Sequence, residues 1–83
     1  MRVLTTDVFC GAYLLAQGAK LVDLLVDRTG SREAGTFVFE GPDVLAHQET
    51  YSRGKAVAHV KAIRDGVTEL RARLARALRR AAA

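Results

Sequence analysis

One thiol, two imidazoles and a spread of carboxylates are the groups in this 83-residue chain with chemical potential. Cys10 stands near the start of a predicted helix, where the positive end of the dipole favours a thiolate and hence a nucleophile. It is flanked by Phe9 and Gly11, however, and neither His47 nor His59 has a spacing to it that marks a dyad. A buried structural thiol is the expectation. Cys10, His47 and His59 also lack the paired-ligand spacing of zinc sites, so neither a metal nor a cofactor is expected.

Asp23 and Asp27 lie four apart on one face of a predicted strand, and Glu40 can project from its neighbour. Carboxylates gathered this way could hold a cation or divide acid and base roles. The competing reading is the solvent face of a hairpin, and it is preferred. Gly30, Gly35 and Gly41 belong to no phosphate-binding run and to no dinucleotide fingerprint, so they read as turn residues. No nucleophile, base and orienting group assemble from any local spacing. The chain is therefore read as a non-enzyme with no identifiable small-molecule substrate.

The elements that position these residues follow from periodicity. "TTDVFCGAYLLAQG" reads as a helix capped by Thr6, with Asp7 at the positive end of the dipole and Gly18 closing it. Val8, Ala12 and Leu15 share a face, with Phe9, Tyr13 and Ala16 beside them. After Gly18 the pattern alternates: Val22, Leu24 and Val26 fall on one side, and Leu21, Asp23, Leu25 and Asp27 on the other. "TGSREAG" supplies a turn, and "TFVFE" answers with Phe37 and Phe39 on one face against Thr36, Val38 and Glu40. "GPDVLAHQETYSRG" then makes a short helix ending at Gly54.

From Lys55 onward Val60, Ile63, Val67, Leu70, Leu74 and Ala77 recur at spacings of three and four, the seam of a long helix packing lengthwise. Gly66 weakens that helix by about 1 kcal/mol relative to Ala. The fold class is α+β: helix, antiparallel β-hairpin, short helix and long C-terminal helix, the helices packed on a small sheet. Residues 1–83 form one domain, with 75–83 a basic helical extension. A two-stranded hairpin is marginal in water, so helices must cover it, and its edges could add strands from a second copy in a homodimer. The three phenylalanines are expected in the core, the two tyrosines less firmly.

Length and charge bound the partners. A chain this short only just offsets the entropy of ordering and leaves little room for an internal active site. The net charge is +4, but residues 1–52 hold four Lys/Arg against seven Asp/Glu, while 53–83 hold nine against two. The basic end favours polyanions or acidic surfaces through salt-sensitive attraction. The single cysteine permits no internal disulfide, and Asp7 interrupts the first apolar stretch before it resembles a leader. A cytoplasmic protein with no membrane partner is expected.

The run from Thr5 to Gly54 is similar to a family of small bacterial and phage proteins defined as a domain of unknown function. The likeness is carried by Thr5, Thr6 and Asp7, then Ala12, Tyr13 and Leu14, then Gly18, Lys20 and Leu21, then Phe37 to Glu40, then Tyr51 and Gly54. It extends over roughly residues 5–74. It implies a compact domain of phage, mobile-element or bacterial origin, and it brings no catalytic residues. The tail "ARALRRAAA" runs beyond where such proteins end.

Two functions follow as expectations. The first is an interaction or accessory protein that offers its basic C-terminal helix to a protein partner or to itself, with Leu70, Leu74 and Leu78 as apolar anchors. The second is a nucleic-acid-binding accessory subunit that contacts phosphates through Arg64, Arg71, Arg73, Arg76, Arg79 and Arg80. Arginine suits both, because its planar fork fits phosphate while its methylene stem shields apolar neighbours.

Overall fold

Asp7 starts the first helix by turning its carboxylate back onto the chain: Oδ1 accepts from the amides of Phe9 (2.9 Å) and Cys10 (3.3 Å). The cap is Asp7 rather than Thr6. Thr5 supports it from behind, its Oγ1 accepting from the Asp7 amide at 3.1 Å. The computed structural model describes residues 1–29 and 32–82. Its elements are β1 (Arg2–Thr5), α1 (Val8–Ala16), β2 (Lys20–Thr29), β3 (Arg32–Glu40), α2 (Val44–Ser52) and α3 (Val60–Ala82).

This is the α+β arrangement read from the sequence, with one strand added. β1 pairs antiparallel with β3, as does β2, giving the order β1-β3-β2. The hairpin is thus widened to three strands, a number that can stand with one helical layer. β2 and β3 also run further than expected. Gly35 lies inside β3 instead of in the turn, while Gly30 and Ser31 of the expected turn lie outside the described residues.

The phase of β2 differs from simple alternation. A bulge between Leu21 and Asp23 sets Leu21 opposite Phe39 and Leu24 opposite Phe37, with Val22 as the extra residue. One inserted residue flips the face of everything on one side of it. Leu21 and Leu24 therefore pack on the core, and Val22, expected beside Leu24, is exposed. Val3, Phe37 and Phe39 point inward, whereas Leu4 on β1 pairs with Val38.

The core joins these strands to Cys10, Leu14, Ala19, Val44 and Leu70. The buried stripe of α1 runs through Cys10, Gly11 and Leu14, so Phe9 falls on its far side and is half exposed, against the expectation that all three phenylalanines are core. Gly18 (φ +93°) and Gly54 (φ +72°) close α1 and α2 in the left-handed region that a side chain disfavours.

α3 is held by close approaches to small residues. Leu70 is fully buried, its Cδ1 2.7 Å from where a Cβ on Gly11 would stand, and Leu74 Cδ1 fills the equivalent space over Gly35. Gly66, a weakness by helix propensity, is where α3 meets Ala12 of α1. The seam begins one turn later than its spacing implies, because Val60, the first residue of α3, is 84% exposed.

Candidate functional site

Packing one stripe of α3 onto α1 and the β2–β3 hairpin leaves the helix with two open flanks, and the arginines divide between them. Residues 60, 63, 64, 67, 68 and 71 fall at helical spacings of three and four, so they form a single row along one flank. Across from that row stands Phe9 of α1, 50% exposed, and together they line an open groove of about 530 Å³. Val60, Ile63 and Val67 supply its apolar wall, and Arg64 and Arg71 its charge. Val57, in the segment leading into α3, is 86% exposed beside Ala58 of the same groove. Large apolar side chains this open and this close together are unusual on a small domain.

The other flank faces the sheet. Arg73, Arg76 and Arg80, spaced three and four apart, line a groove of about 410 Å³ against Leu21, Val22 and Leu24 of β2. Asp23 is exposed in its lining, and its Oδ1 accepts from the Leu24 amide at 2.8 Å. Arg73 Nη2 is 3.4 Å from Glu69 Oε1, an exposed pair one helical turn long. Arg79 lines neither groove.

The leucines expected as partner anchors sit differently. Leu70 is enclosed by the core and unavailable to a partner without unfolding, Leu74 is occupied against Gly35, and Leu78 is half-buried. Phe9 and Val60, by contrast, escaped the sequence reading as surface residues, because apolar spacing does not reveal where a helix outruns its neighbour.

The groups with chemical potential are dispersed. Cys10 is buried, and that burial pushes its thiol up, partly offset by a hydrogen bond with Thr5, so the reactive thiolate is disfavoured. His47 meets the ring of Tyr13 edge-on at 6.4 Å between centroids, whereas His59 is exposed ahead of α3. Among the described residues no three of His, Cys, Asp and Glu lie close enough to hold a metal ion. Asp23 and Asp27 pair with Val38 and Ala34 along the ladder, and Glu40 stands at its far end, where the Arg2 guanidinium at 2.7 Å pulls its carboxyl below the usual range. These carboxylates do not converge.

One polar network joins two helices. Asp7 Oδ2 accepts from the Tyr51 hydroxyl at 2.8 Å, tying the end of α2 to the start of α1. Burial, the hydrogen bond to Asp7 and its negative charge push Tyr51 up to about 12. One main-chain group on each edge strand is also met by a side chain. Gln48 of α2 donates to the Leu4 carbonyl of β1 at 2.8 Å, and on β2 the Leu24 amide is taken by Asp23.

No helix among the described residues is long and apolar enough to cross a membrane. Compared with known proteins, the chain matches no family model, no curated protein and no solved structure.

Proposed function

We propose that this chain is a non-enzymatic interaction module that receives an amphipathic helix of a protein partner in the groove between Phe9 and the first half of α3. The observation that carries the reading is the apolar groove beside half-exposed Phe9, with Val60 exposed, Ile63 half-buried and Val67 buried at its base, bordered by Arg64 and Arg71. From Val60 to Arg71 the row is roughly 16 Å long at the rise of an α-helix, which matches about three turns of a docked helix. Such a helix would place apolar residues on Phe9 and Val60 and carry Asp or Glu at its borders to meet the two guanidiniums.

A second copy of the chain fits this groove poorly. Isologous pairing would set Arg64 and Arg71 of one copy near the same cations of the other, and like charges at an interface oppose association. Strand addition is opposed as well, because the Leu4 carbonyl and the Leu24 amide are already occupied and β2 is bulged. A setting in a phage, a mobile element or a bacterial genome rests on the sequence resemblance from Thr5 to Gly54.

The test is selection of helical peptides from a displayed library on the immobilised full chain, followed by binding measurements on Val60→Glu. That variant alters a side chain in open water and leaves the core alone. Selected peptides should share an apolar i, i+3, i+4, i+7 stripe with acidic borders and lose at least about tenfold in affinity, roughly 1.4 kcal/mol, for the variant. Peptides that lack acidic borders, or that bind Val60→Glu as well as the parent, would overturn the reading.

A further inference from the structure

The opposite flank of α3 carries a separate inference, independent of the helix-docking groove. We infer that the groove between β2 and the C-terminal half of α3 seats a run of phosphates from a nucleic-acid strand, held by Arg73, Arg76 and Arg80. These three side chains share one flank of a rigid helix and span about 10 Å along its axis. They present a line of guanidinium forks, the donor geometry that matches phosphate oxygens in pairs.

Their charge is available. Among the described residues Arg76 and Arg80 form no ion pair, and the Arg73–Glu69 pair, 3.4 Å long with both side chains about half exposed, is weak enough to yield to a phosphate.

A protein segment suits this groove less well for two reasons. An extended peptide would have to pair with the β2 edge, but at Leu21–Leu24 that edge is bulged and the Leu24 amide is taken by Asp23. An amphipathic helix would need apolar surface to bury, but Leu21 and Leu24 are turned into the core and Val22 is the one well-exposed apolar side chain on the β2 wall. Recognition must therefore come from charge. Asp23 is the one carboxylate in the groove lining, against three guanidiniums, so the lining keeps a net positive charge.

The test is fluorescence anisotropy of the full chain with a labelled DNA duplex and its single strand across a salt series. Three phosphate contacts give a log–log salt slope of about −2.7 on duplex, a weakening of roughly 40-fold between about 50 and about 200 mM salt. Arg76→Gln and Arg80→Gln should each lower that slope by about 1. Arg64→Gln/Arg71→Gln, on the other flank, should leave it unchanged, and circular dichroism would verify that each variant keeps its helix. Absence of salt-dependent binding to either nucleic acid would overturn the inference. So would equal losses from the two flanks, or tighter binding to polyglutamate or to phosphatidylserine vesicles than to nucleic acid.

Discussion

Gly66 of α3 lies so close to Ala12 of α1 that a Cβ placed on Gly66 would stand 2.9 Å from the Ala12 Cβ and 3.1 Å from its Cα. Helix propensity alone predicts that Gly66→Ala stabilises an exposed helix by about 1 kcal/mol. Here the sign reverses, because the new methyl meets the backbone of α1 and cannot swing aside. The two helices must separate, at about 1–3 kcal/mol for an overpacked contact. Gly66→Ala should lower the midpoint of chemical denaturation, and Ala12→Gly in the same chain should recover part of the loss. An unchanged or higher midpoint for Gly66→Ala would show that the helices are further apart than described.

The same position shows what the sequence conceals. The three–four spacing of Ile63 to Ala77 is legible as a seam, though its extension back to Val60 is not borne out, and the strands about Phe37 and Phe39 and the closures at Gly18 and Gly54 are legible too. Glycine has two readings, however, and only the approach of a second element decides between a weak point and a notch. Gly66, Gly11 and Gly35 are all notches. β1 leaves no signal because Arg2–Thr5 is too short for alternation to stand out, and the face of Val22 is not legible because a bulge leaves no mark in composition. The arginines were legible as a set, but their division between two flanks depends on which stripe of α3 is buried.

The Tyr51–Asp7 hydrogen bond makes a prediction about alkaline pH. Tyr51 holds its proton up to about 12 in the folded chain, against 10.0 for a free phenol. Below pH 10 the group is neutral in both states and its contribution is fully present. Between pH 10 and pH 12 the unfolded chain ionises while the folded one resists, so stability falls across that window. Tyr51→Phe should remove this decline and, at neutral pH, cost about 1.5–3 kcal/mol for the lost bond to a carboxylate. Asp7→Ala removes the cap as well and should cost about 1 kcal/mol more. Parallel pH–stability curves for the parent and Tyr51→Phe between pH 10 and pH 12 would refute the coupling.

Leu70 and Val60 are equivalent in the helical pattern and opposite in the fold, which gives a paired test of where the seam begins. Leu70 is fully enclosed by Phe39, Gly11 and the rest of the core, so Leu70→Ala opens a cavity that rigid neighbours on two layers cannot close. The expected loss is about 2–5 kcal/mol, a large share of the roughly 5–15 kcal/mol that a domain possesses, with a fall in Tm of at least about 10 °C. Val60 is largely in water already, so Val60→Ala should move stability by less than about 0.5 kcal/mol. Because both variants truncate an apolar side chain on one ridge, and one methylene more or less is small beside the difference in burial, thermal unfolding separates core from docking surface without knowledge of any partner. A Val60→Ala loss comparable to that of Leu70→Ala would mean that the first turn of α3 is buried in solution, and the open groove beside Phe9 would then be closed.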